Sequence, residues 1–152
     1  MQFFLAQAQF RLQGGQRESS GNGGDGLGGV IANQLGSTAT LSNCSLDHNG
    51  AIGGDEEDGG NGGNGLGGGI YNDGSTASGV SSLTIAGSTI THNEATGGKC
   101  DGGGTAGQGI GGGLYLAAGG SVCLDAFTVA HIKHKDASTS NDDVFGSYMI
   151  CP

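Results

Sequence analysis

The sequence predicts an all-β chain wound as a solenoid of three to four coils, and three observations carry that prediction. A Gly-rich block recurs, reading GLGGVIAN at 26–33, GLGGGIYN at 65–72 and GIGGGLYL at 109–116. A second block follows each copy: LSNCSLDHN at 41–49, IAGSTITHN at 85–93 and LDAFTVAHI at 124–132. Inside both blocks apolar residues alternate with a period of two, which is a strand signal, and no segment carries a helical i, i+3, i+4, i+7 stripe. Self-similarity at a spacing near 40 residues means one structural unit stacked several times.

Taken in order, residues 1–25 read as a partial first coil with its loop, because LAQAQFRLQ at 5–13 is a fainter copy of the second block. Residues 26–64, 65–108 and 109–132 then form coils one to three, and 133–152 a C-terminal cap. In the first block Leu27, Gly29 and Ile31 share a face, as do Leu66, Gly68, Ile70 and Ile110, Gly112, Leu114. In the second block the inward pairs are Phe3/Leu5, Ala39/Leu41, Leu83/Ile85 and Val122/Leu124. The next inward sets are Ala8/Phe10/Leu12, Cys44/Leu46/His48, Ser88/Ile90/His92 and Phe127/Val129/His131. The gap between the two sets is odd, and an odd gap flips the facing, so a corner is expected at Gln7, Asn43, Gly87 and Ala126. The surplus length falls in Gly-rich loops at 14–25, 50–64 and 94–108. DGGNGGN at 58–64 has a period of three that suits an extended threefold backbone. The tail from 133 leaves the repeat pattern and ends in SYMIC, a strand candidate that would cover the last coil.

Composition narrows the function. Glycine supplies 36 of 152 residues, and a formal charge of −9 with only five Lys and Arg leaves no basic stripe for phosphates. Nucleic acid and anionic membrane surfaces are therefore not expected partners. No apolar run is long enough to span a bilayer. MQFFLAQAQF lacks the cationic start and long apolar stretch of a signal peptide, and it aligns with the repeat. A chain that starts in mid-repeat is expected to be a fragment or a processed form. Four cysteines without C-x-x-C spacing give no zinc motif and fit two disulfides or free thiols alike.

The pattern GGGIY…LTIxxSTIxxN, closed by TSNDDVFG at 139–146, resembles the right-handed parallel β-helix repeats of bacterial surface proteins, in the manner of polymorphic outer-membrane-protein and pectate-lyase-like repeats. The resemblance covers most of the chain. It implies a fold rather than an activity, because such helices serve adhesins, passenger domains and polysaccharide-cleaving enzymes alike. Here the coils are lengthened by Gly-rich insertions, and Ile132 stands where Asn49 and Asn93 do.

Four sets of side chains are candidates for chemistry. His48, His92 and His131 fall at equivalent positions beside Asn49 and Asn93. A ladder sets donors in a line whereas tetrahedral zinc needs converging ligands, so a structural stack is expected, with His134 off it. Asp55, Glu56, Glu57 and Asp58 form the densest acidic run, either a solvated loop or a calcium site, without EF-hand spacing. Tyr71 and Tyr115 are outward neighbours with Ala32 next in line, either a cross-strand pair or a platform for a sugar ring. Cys123, outward on a strand, and Cys151, in the closing strand, are placed for a disulfide, while Cys44 takes a core position. G-x-G-x-x-G occurs once per coil with no helix after it, so it belongs to the repeat and not to a dinucleotide site. No G-x-S-x-G and no strand-borne carboxylate pair marks a catalytic centre.

These features predict a non-catalytic structural or binding module, extracellular or at the cell surface, presenting a rigid surface to a protein partner or assembly. No cofactor is expected beyond calcium. A polysaccharide-active or sugar-binding β-helix is the alternative, and ice binding comes third, weakened by the lack of T-x-T rows.

Overall fold

The structure, a computed structural model, describes residues 2–3, 11–14 and 21–152, with the backbone alone at 2, 3, 11 and 12. The expected rungs Leu5, Ala8 and Phe10 and the corner at Gln7 lie outside it. Short strands dominate, and the described residues include one helix, Ala126–Ala130.

Strands one repeat apart pair in parallel, so equivalent residues become hydrogen-bonded neighbours. The widest sheet orders Gln2–Phe3, Thr38–Ser42, Ser82–Ala86, Ser121–Asp125 and Met149–Cys151. Its register aligns Leu83 with Ala39 and Val122, and Ile85 with Leu41 and Leu124. A second sheet aligns Ile31, Ile70, Leu114 and Val144. A third aligns Leu46, Ile90 and Ile132. Two more parallel sheets contain Gly50–Ile52 and Gly65–Leu66, and a small antiparallel hairpin joins Ser75–Thr76 to Gly79–Val80.

The expected inward residues of the widest sheet, Ala39, Leu41, Leu83, Ile85, Val122 and Leu124, are all buried. They merge with Leu46, Ile70, Ile90 and Leu114 into one apolar cluster. Burying each large aliphatic side chain favours folding by about 1.5–3 kcal/mol. The corners at Asn43 and Gly87 also form, with φ of 54° and 59°. Both residue types tolerate that left-handed backbone.

Four expectations need correction. Leu27, Gly29 and Ile31 are not one strand: Gly28, Gly67 and Gly111 take φ of 64°, 69° and 67° and divide each first block into two strands. A Cβ at Gly28 would stand 2.0 Å from the carbonyl oxygen of Ile31, so only glycine makes that bend. His48 and His92 are not core rungs, because φ of 57° and 51° swings them outward and buries Asn49 and Asn93 instead. Phe127, Val129 and His131 do not form a strand but belong to the helical turn, capped by Asp125, whose carboxylate accepts from Thr128 N. That turn adds three residues, so Ile132 aligns with Ile90 and not with the asparagines. Finally, the tail does not leave the pattern. Asp136–Ala137 pairs with Glu94–Thr96 and completes the third repeat, while Val144–Phe145 and Met149–Cys151 pair with Leu114–Leu116 and Ser121–Asp125 as a shortened further repeat.

Among the described residues no further strand pairs with the outer edge of that repeat. Ile150 continues the buried ladder of Leu41, Ile85 and Leu124, yet is 60% exposed, and Met149 beside it is 61% exposed.

Candidate functional site

Three outward rows arise where equivalent positions superpose. In the first, the rings of His48 and His92 stack at 4.7 Å between centroids, and His92 stacks on His134 at 5.5 Å. The third member is therefore His134, not His131, which packs on Phe127 at 4.0 Å within the helical turn. All three row histidines have positive φ. The residue that organises them is Asp47. Its Oδ2 lies 2.8 Å from His48 Nδ1, and its Oδ1 lies 2.9 Å from His92 Nδ1. Thr91 Oγ1 donates to the same Oδ1 at 2.7 Å. Hydrogen bonds from His92, then Thr91, and the neighbouring His48 hold the Asp47 carboxyl down at about 2, against the opposing effect of its burial. Asp47, His48 and His92 are the described residues whose donor atoms gather for a metal, all within 4.8 Å of one another. Reasoning from sequence missed Asp47, although the signal is present: the repeats read LDHN and ITHN, and the first alone has a carboxylate before its histidine.

Behind this row the side-chain amide of Asn49 donates to Asn93 Oδ1 at 2.8 Å, and Asn93 donates to Leu46 O. A second buried pair, Asn33 to Asn72, closes the Gly-rich blocks at 2.6 Å. These amides satisfy turn backbone that would otherwise be buried without partners. In the next repeat Lys135 takes the asparagine position, its Nζ forming an ion pair with Asp143. Burial pushes the Lys135 ammonium down, against the pull of Asp143.

The second row is aromatic. Tyr71 and Tyr115 stack at 5.3 Å, as their register implies, and Phe145 extends the stack at 4.7 Å. Phe145 was not among the candidate residues because the tail was not aligned as a repeat. Ala32 takes the fourth position.

The third row lies on the Gly-rich loops, which are held against one another by backbone hydrogen bonds on their inner side and by side-chain acceptors on their outer side. Gly54 N donates to Gly24 O, Gly63 N to Gly54 O, Gly98 N to Gly63 O and Gly107 N to Gly98 O, all at 2.8–2.9 Å. On their outer side Asn61 N donates to Asn22 Oδ1 and Thr105 N to Asn61 Oδ1. In parallel, Asn64 N donates to Asp25 Oδ1 and Gln108 N to Asn64 Oδ1. These six side chains line a polar groove of about 680 Å³.

The acidic run does not form a cage for calcium. Asp55 Oδ1 accepts from Lys99 N, whereas Glu56 turns inward to 1% exposure and accepts from Asp58 N. Glu57 and Asp58 stay exposed, and none of the four is among the described residues whose donor atoms gather for a metal. Cys123 and Cys151 are joined as a disulfide with their Cα atoms 5.8 Å apart, although the register sets Cys123 opposite Met149 and Cys151 opposite Asp125. Cys44 is buried, and Cys100 is half-buried. No helix among the described residues is long and apolar enough to cross a membrane. No protein family, no curated protein and no solved structure matches this chain.

Proposed function

We propose that the chain is a non-catalytic structural and binding module of a secreted or cell-surface protein or larger assembly. Its frame is a short right-handed parallel β-helix with Gly-rich loops on one edge. The observation that carries this reading is the superposition of like residues on its exterior: histidines, aromatics and amides each repeat along one line at strand spacing. Rows of that kind suit a partner that is itself extended or repetitive. The uncovered ladder end at Met149 and Ile150 supports a place within a larger stack, because an open strand edge pairs readily with another strand. The disulfide between Cys123 and Cys151 supports an oxidising compartment.

A polysaccharide is the second reading, favoured by the Tyr71–Tyr115–Phe145 row, whose outward ring edges and two phenolic hydroxyls could line an extended sugar chain. A glycan array read together with a polysaccharide-cleavage assay separates these readings from enzymatic ones. The module reading expects no bond cleavage, and release of oligosaccharide products would overturn it. Saccharide binding that Tyr115→Ala abolishes would select the second reading.

A further inference from the structure

We propose that Asp47, His48 and His92 form a binding site for a divalent transition metal of tetragonal N/O preference, with Cu²⁺ the tightest occupant. This site is independent of the module reading above.

The objection to a histidine ladder as a metal site is that stacked rings point their donors along parallel lines. Asp47 removes that objection. It stands on the strand that leads into the His48 corner, and the Nδ1 atoms of two successive repeats both turn toward its carboxylate. The donors therefore converge across the stack instead of running parallel. Their spacing fits an ion. At metal–ligand bond lengths of about 2.0–2.1 Å, donors 2.8–2.9 Å apart subtend roughly a right angle at the metal. Each imidazole is thus cis to a carboxylate oxygen, as square-planar or tetragonal coordination requires and tetrahedral coordination does not.

The set of two imidazoles and a carboxylate suits Cu²⁺ and Ni²⁺, and divalent affinity on such ligands peaks at copper. To ligate, each imidazole carries its proton on Nε2 and turns its Nδ1 lone pair off the carboxylate oxygen toward the ion, a rotation that its half-exposed ring permits. The carboxylate is ionised at neutral pH and supplies negative charge directly between the rings. Both histidine side chains are at least half exposed, so an ion can reach them and water can complete the coordination sphere. Thr91, which also donates to Asp47 Oδ1, holds the carboxylate in place as a positioning residue. His134 continues the stack without a hydrogen bond to Asp47, and His131 lies apart on Phe127, so neither belongs to the ligand set.

The test is Cu²⁺ titration of the whole chain by calorimetry, with electron paramagnetic resonance of the loaded protein. A Cys100→Ser background keeps the half-buried thiol from competing. His48→Asn and His92→Asn are the informative variants, because asparagine tolerates the positive φ that both positions require. The proposal expects one Cu²⁺ per chain, a spectrum with two equivalent-type nitrogens, and at least a tenfold loss of affinity in either variant. Asp47→Asn should also lower affinity, while His131→Asn should leave it within twofold. Ni²⁺ should bind more weakly at the same residues. A Cu²⁺ affinity unchanged within twofold in the His48→Asn/His92→Asn double variant, or a spectrum with one nitrogen ligand, would overturn it. Circular dichroism of each variant confirms that any lost binding occurs in a folded chain.

Discussion

The two flanks of each repeat are held together by opposite means. The strand flank stacks large side chains: Leu41, Ile85 and Leu124 superpose in a buried interior and gain stability from apolar burial. The loop flank begins later than the expected 50–64 and 94–108, because Gly50–Ile52 and Glu94–Thr96 are strands; at 53–64 and 97–108 it stacks mostly glycine backbone. A Cβ at Gly63 would stand 2.0 Å from Gly24 O, and one at Gly107 would stand 1.8 Å from Gly63 O. There the absence of side chains permits the approach, and hydrogen bonds between neighbouring passes hold it. Glycine is abundant in this sequence for packing as well as for turns.

This contrast can be broken from either side. Ile85→Ala removes a fully buried side chain flanked by neighbours above and below, and should cost about 3–4 kcal/mol in chemical denaturation. Gly63→Ala adds one methyl group to the loop flank, where backbone on the neighbouring pass has to yield, and should cost about 2–3 kcal/mol. Gly103→Ala sharpens the comparison. No atom lies within 4 Å of the new Cβ, but φ is 115°, so the cost should fall to about 1 kcal/mol and come from backbone strain. If Gly63→Ala and Gly103→Ala cost the same, the loop flank is not packed.

A third contrast is electrostatic and lies on the strand flank. The Asp47 carboxyl is held at about 2 in the folded chain, below its ordinary 3.8. A depressed carboxyl stabilises the fold fully above the unfolded value, and the contribution disappears as pH falls through the folded value. Acid titration between about pH 4 and 2 should therefore remove about 1–2 kcal/mol, allowing for partial solvent screening. Asp47→Asn should remove that step from the pH profile. An effect as small as that of Gly103→Ala is expected from Tyr115→Ala, which breaks the aromatic row at its middle and should cost about 1 kcal/mol.

What the sequence made legible was whatever repeats with an unchanged spacing. The alternation of Ala39/Leu41 with Leu83/Ile85 is local and is repeated by the register. The superposition of Tyr71 on Tyr115 follows from counting alone. The failures share one cause, a local change of spacing that only three-dimensional pairing reveals. The turn at Ala126–Ala130 inserts three residues, so aligning HIKHK by its first histidine selected His131 when the register selects His134. Left-handed backbone at His48 and Gly28 reverses facing within a strand pattern that otherwise looks continuous. Asp47 was missed because its importance comes from His92, a whole repeat away along the chain.

The central claim is that equivalent residues of successive repeats are neighbours in parallel register. Cross-strand nuclear Overhauser effects in an isotopically labelled sample test it directly. The account predicts contacts linking Leu83 to both Ala39 and Val122, and Leu114 to both Ile70 and Val144, in the parallel pattern. Contacts joining non-equivalent residues, or an antiparallel pattern across these strands, would contradict it.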